Sequence, residues 1–140
     1  MKTMEINQKV QFSATPEEVY NAIMDSALHS EFTQSESIIG DKPGESYSSY
    51  DGYIQGHIME LVPFKRIMKT WIAHEEGWPE DHVSEVKFEF FPNDNGTEMQ
   101  FTHYGVPAEK FESIRDGWKQ YYWEPMKDMF DKKLSAQAEF

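Results

Sequence analysis

His103 is the residue of this sequence best placed by its neighbours to move a proton. It shares strand parity with Met99 and Phe101, so it points to the apolar side of its strand. An imidazole there can orient a ligand through a hydrogen bond or act as general acid or base. The position suits a structural histidine bonded within a wall equally well, because no acid or nucleophile can be set beside it from spacing. Tyr122 is the second candidate. It lies on a stripe with Trp118, Met126 and Met129 at helical steps, which reads as a pocket wall with one polar handle or as plain core. Ser46, Ser48 and Ser49 offer hydroxyls, yet the sequence contains no Gly-x-Ser-x-Gly elbow and no triad can be assembled. His74-Glu75-Glu76 and Asp81-His82 flank one loop with metal-ligand residue types. Adjacent strand residues point to opposite faces, however, and there is no helical His-Glu-x-x-His spacing. No metal and no cofactor is expected. Gly40–Gly44 lacks the pattern of a phosphate loop, and no helix follows it. The acidic pairs Glu17-Glu18, Glu75-Glu76 and Glu80-Asp81 read as solvated charge.

These side chains need elements to aim them. Residues 4–13 place Met4, Ile6, Gln8, Val10 and Phe12 in period-two phase and predict a strand. Thr15-Pro16-Glu17-Glu18 then carries an N-cap, a first-turn proline and a capping box, opening a short helix to about residue 25. Ser26 is placed to cap a second short helix bearing Leu28 and Phe32. Six strands follow, over 37–39, 46–50, 53–62, 67–74, 83–91 and 97–104, with a turn at 41–44 and a hairpin turn at Asp51-Gly52. Val86, Phe88 and Phe90 alternate with Glu85, Lys87 and Glu89, as expected of an antiparallel sheet with one solvated face. Trp71 shares parity with Ile67 and Ala73 but also with Lys69, so its face stays open. Trp78, between Gly77 and Pro79, reads as a lid over a pocket mouth or as a loop packing device. From 108 to 134 the period becomes helical through Phe111, Ile114, Trp118, Tyr121, Tyr122, Met126, Met129, Phe130 and Leu134, with Pro125 expected to kink the helix. A one-sided sheet must cover its apolar face, and this helix is the available partner.

Composition limits what such a domain can serve. The 140 residues read as one domain, 1–140, long enough to bury a core without staples. The absence of cysteine excludes a disulfide scaffold, thiolate metal sites and a cysteine nucleophile, and fits a reducing cytoplasm. MKTMEINQKV has no apolar signal-peptide core, and no run approaches the roughly 20 apolar residues that span a bilayer. A net charge of −12 is repelled by nucleic-acid phosphates and anionic lipids, so neither is an expected partner. An aromatic content of 15% argues against disorder and for rings lining a core or cavity.

The order of elements, with particular residues, resembles the START/Bet v-type helix-grip superfamily (SRPBCC). Within it the chain is similar to the family named for activators of the Hsp-90 ATPase, the Aha-type C-terminal domain. The resemblance runs through Ala14–Tyr20, Gly56–Ile67, Thr70-Trp71, Ser84–Phe88, Gly96–Met99, Thr102-His103 and Gly117–Pro125. It implies an α+β fold, a curved antiparallel sheet of about six or seven strands around a long C-terminal helix, with an apolar cavity between them. It does not extend to the additional N-terminal domain of the eukaryotic co-chaperone, for which 140 residues leave no room. Three functions follow as expectations. The first is binding of a small hydrophobic or aromatic ligand, in stress response or transport, with Trp71, Phe88, Met99, Phe101, His103, Trp118, Tyr122 and Met126 as pocket residues. The second is a co-chaperone-like module binding an Hsp-90-type chaperone. The third is a cyclase/aromatase-like enzyme moving protons with His103 and Tyr122, which requires both to face one cavity. The absence of a catalytic set favours the non-enzymatic readings.

Overall fold

The computed structural model describes the backbone of residues 1–138 and the side chains of residues 1–136. β1 (Thr3–Phe12) leads into α1 (Pro16–Met24) and α2 (Ser26–Thr33). Thr15 caps α1: its hydroxyl accepts from the Glu18 N–H, and the Glu18 carboxylate accepts from the Thr15 N–H. The cap of α2 is Asp25 rather than Ser26; its carboxylate accepts from the Leu28 N–H at 3.0 Å. Ser26 is instead the first helical residue, and its hydroxyl accepts from the Ile39 N–H.

Six strands follow: β2 (Ile38–Ile39), β3 (Ser46–Ser49), β4 (Ile54–Val62), β5 (Arg66–Ala73), β6 (Ser84–Asn93) and β7 (Gly96–Pro107). They join β1 in one antiparallel sheet, ordered β1-β7-β6-β5-β4-β3-β2. The expected alternation buries Val86, Phe88 and Phe90 on β6 and Met99, Phe101 and His103 on β7. On β5 the open question resolves inward for every residue of that parity, so Ile67, Trp71 and Ala73 are buried and Lys69 is buried with them. On β1, Ile6, Val10 and Phe12 are buried, but Met4 is exposed because the register slips between Met4 and Ile6.

The closing helix lies against the concave face, with Phe101 4.5 Å from Trp118 and Phe12 5.7 Å from Phe130 by ring centroid. This is the helix-grip architecture. The helix is not uniform: α3 (Phe111–Trp118) passes through a π turn (Lys119–Trp123) into α4 (Glu124–Ala138). The expected kink at Pro125 is therefore a π turn just before it. Pro125 has no N–H to donate to the Tyr121 carbonyl four residues back, and that oxygen accepts from the Tyr50 hydroxyl at 2.5 Å instead. The extra residue in the turn buries Tyr122 and Trp123 together and leaves Tyr121 52% exposed. Gln8 locks this arrangement, accepting from the Trp123 indole at 2.7 Å and donating to the Arg115 carbonyl at 3.1 Å. No helix is long and apolar enough to cross a membrane among the described residues.

Candidate functional site

A cavity of about 480 Å³ lies between the tip of the β3–β4 hairpin, the end of β5 and the closing helix. The hairpin supplies Tyr50, Asp51, Tyr53 and Ile54. Its tip is tight: Tyr50 and Asp51 both hold left-handed backbones, at φ 51° and 56°, before Gly52 at φ 90°. Two non-glycine residues in that region carry strain of the kind that collects at functional sites. β5 supplies Trp71, and Glu75 follows just beyond it; the helix supplies Ile114, Trp118, Tyr121 and Tyr122. Gly117 faces the same space, and its missing side chain leaves room there.

The polar groups of this wall are largely committed to each other. Tyr122 and Ser49 share a hydroxyl hydrogen bond at 2.8 Å. Tyr53 donates to the Glu75 carboxylate at 2.5 Å, and Tyr50 to Tyr121 as above. Burial first, and then the neighbouring Tyr121, pushes the Tyr50 phenol up to about 12. Burial, followed by Glu75, does the same to Tyr53, again to about 12. Burial raises Tyr122 as well. All three are protonated near neutral pH and cannot serve as bases.

Of the eight residues expected in a pocket, Trp71, Trp118 and Tyr122 line this cavity. Phe88, Met99, Phe101, His103 and Met126 are buried in the sheet–helix core behind it and are not part of its lining. His103 is fully enclosed, and its bonds define its tautomer. The Trp118 indole donates to Nδ1 at 3.0 Å, so Nε2 carries the proton and donates to the Ser84 hydroxyl at 2.8 Å. Ser84 in turn donates to the Trp71 carbonyl at 2.7 Å. Burial pushes His103 down to about 3. Both nitrogens are spent on fixing Trp118 and Trp71, two wall residues, and His103 does not share the cavity with Tyr122. Trp78 packs on Trp71 with centroids 5.6 Å apart and donates to the His82 carbonyl at 2.8 Å. It packs against a wall residue and is not itself part of the cavity lining. Among the described residues, no three histidine, aspartate or glutamate side chains gather as a metal site.

Sequence reading missed the hairpin contribution of Tyr50, Asp51, Tyr53 and Ile54. The available signal was Asp51-Gly52 flanked by two tyrosines, which marks a tight turn presenting rings. It also missed a polar cluster inside the core. Lys69 is 2% exposed, with its ammonium 4.3 Å from the centre of the Tyr47 ring. Burial lowers it to about 7. His29 donates from Nδ1 to the Ile23 carbonyl at 3.0 Å, and its Nε2 has no partner among the described residues. Burial and the nearby Lys69 hold His29 down to about 3.

The family model described as activator of Hsp90 ATPase homolog 1-like protein matches residues 13–131. The human activator of 90 kDa heat shock protein ATPase homolog 1 is 31% identical over 91% of the chain. The chain spans 37% of that relative's length. Among solved structures, an Hsp90 activator from Plasmodium falciparum is similar with a TM-score of 0.79 at 24% identity, covering 91% of this chain and 94% of that one. A protein from Mesorhizobium loti has the same TM-score at 18% identity, covering 92% and 98%.

Proposed function

The chain belongs to the activator of Hsp90 ATPase homolog 1-like family, and from that premise we propose that it acts as a co-chaperone-type module that binds an Hsp90-type chaperone and raises its ATP turnover. The observation that carries the reading is the 31% identity to the human ATPase activator, sustained over nearly the whole of this chain. The surface is compatible with it. The chain carries a net charge of −12, and Tyr53 and Tyr121 stand exposed beside Asp51 and Glu75. Exposed aromatic rings are favoured at protein interfaces, and an acidic face steers a basic partner. The test is titration of the purified chain against the Hsp90-type chaperone of its own source. Saturable binding that weakens with salt, together with faster ATP hydrolysis, is expected. Absence of both binding and rate change overturns the reading.

The cavity favours a second reading, a pocket for a small ligand with an aromatic or apolar body. Its volume falls within the roughly 300–1,000 Å³ of small-molecule sites. Native mass spectrometry of the purified protein tests it, with a retained small molecule as the expected result. An empty protein that also fails to shift its tryptophan fluorescence with any aromatic probe removes it.

A further inference from the structure

The charge and ring content of the cavity wall specify a class of ligand. We propose that the cavity takes an organic cation, a protonated or quaternary amine carried on an aromatic or aliphatic body. This rests on the reading of the cavity as a ligand pocket and adds its chemistry.

Six of the thirteen lining residues are aromatic: Tyr50, Tyr53, Trp71, Trp118, Tyr121 and Tyr122. Their faces are the negative part of the ring quadrupole, and a cation within about 6 Å of such a face is attracted to it. The charged lining residues are Asp51 and Glu75, both carboxylates; no lysine, arginine or histidine lines the cavity among the described residues. Glu75 is partly offset by Lys110, whose ammonium is 3.9 Å away but donates to the Glu76 carbonyl at 2.6 Å. Asp51 has no ion-pair partner among the described residues. One of its oxygens accepts from the Glu36 N–H at 2.9 Å.

The wall offers an anion little in return. The hydroxyls of Tyr50, Tyr53 and Tyr122 are committed to the Tyr121 carbonyl, Glu75 and Ser49, which leaves the hydroxyls of Ser35, Ser113 and Tyr121 and the buried Trp71 indole N–H as neutral donors of the lining without a partner among the described residues. An anionic ligand would meet two carboxylates and no facing cation, with only neutral donors to offset them. Lys69 does not change this balance. It points inward from the same strand as Trp71, but it sits under the Tyr47 ring and is not part of the lining. The net charge of −12 adds a long-range field of the same sign preference.

Three benzyl compounds of similar shape test the proposal by tryptophan fluorescence, since Trp71 and Trp118 stand in the wall: benzyltrimethylammonium, the neutral benzyl methyl sulfone and the anionic benzylsulfonate. The cation is expected to bind at least about tenfold more tightly than the sulfone at low salt, and the sulfonate not at all. Asp51→Asn together with Glu75→Gln should bring the cation to within about threefold of the sulfone. Asparagine tolerates the left-handed backbone at position 51, and thermal melts establish that the variant is folded. If cation and sulfone bind alike to the unaltered protein, the cation proposal fails and the ligand pocket stands. If the cation's advantage survives in the folded double variant, the carboxylates are not its source and the proposal falls. If none of the three binds, the pocket reading falls with it.

Discussion

Lys69 sits in the core without an acid, and its titration governs how stability responds to pH. Its folded value is about 7, lowered by burial, against an ordinary 10.5. Between those values the unfolded chain holds one more proton than the folded chain, so stability rises with pH across that window and this contribution is flat below it. His29 and His103, both near 3 when folded against an ordinary 6.5, add a slope of the same sign between about 3 and 6.5. Above about 10 the buried tyrosines reverse it, because Tyr47 and Tyr122 hold their protons in the folded state longer than in the unfolded one. Urea midpoints should therefore climb from pH 7 to 9. Lys69→Met should raise stability at pH 7 by roughly 1–4 kcal/mol and remove most of that climb. Urea melts of both proteins at each pH check this, and a destabilised Lys69→Met protein would mean that the amine has a stabilising partner. This residue also explains the ambiguity of Trp71 in the sequence. Strand parity was readable, but a lysine among inward positions contradicts the usual cost of burying charge. Its Tyr47 ring partner comes from a strand two places away in the sheet.

At the scale of elements, the closing helix depends on an exchange between Pro125 and Tyr50. The proline leaves the Tyr121 carbonyl without its helical donor, and the Tyr50 hydroxyl supplies one at 2.5 Å. Tyr50→Phe should cost about 1 kcal/mol. In a Pro125→Ala background the restored N–H can take that carbonyl, so the same Tyr50→Phe change should cost measurably less. A double-mutant cycle by urea denaturation reads the coupling directly, and simple additivity would break the link. β4 depends on Gly56 in a different way. A Cβ there would lie 2.1 Å from the Thr70 carbonyl oxygen, which also accepts from the Tyr47 hydroxyl at 2.6 Å. Gly56→Ala should force β4 from β5 and cost roughly 2–4 kcal/mol, measured in the same way. β6 was legible from its alternation and the capping box from four adjacent residues, because both signals are local. The π turn and the Gly56–Thr70 contact were not, since each is set by a residue on another element.

At the scale of the whole molecule, the seven strands and the closing helix follow from two periodicities, two in the strands and about 3.6 in the helix. Those patterns fix which faces meet. They do not fix where the faces part, and the cavity exists because a strained hairpin tip, the end of β5 and a glycine on the helix meet at one end of the grip. The two proposed functions share Tyr53 and Tyr121 at the edge of the cavity, but the chaperone reading uses their exposed outer faces and the ligand reading uses the space behind them, so a side chain that fills that space separates the two. Gly117 is the position for it. A Cβ added there meets Tyr121 at 3.7 Å, an ordinary contact, inside a helix where alanine is favoured over glycine by up to about 1 kcal/mol. Gly117→Ala should thus be folded and as stable as the parent or slightly more so. Gly117→Leu extends a larger side chain into the cavity and should abolish binding of the benzyltrimethylammonium probe. Its effect on stimulation of the chaperone ATPase should stay within about twofold, the range of a surface change. Should Gly117→Leu abolish both while Gly117→Ala retains both, the chaperone contact lies at the cavity mouth, and Tyr53 and Tyr121 serve the two functions through one surface.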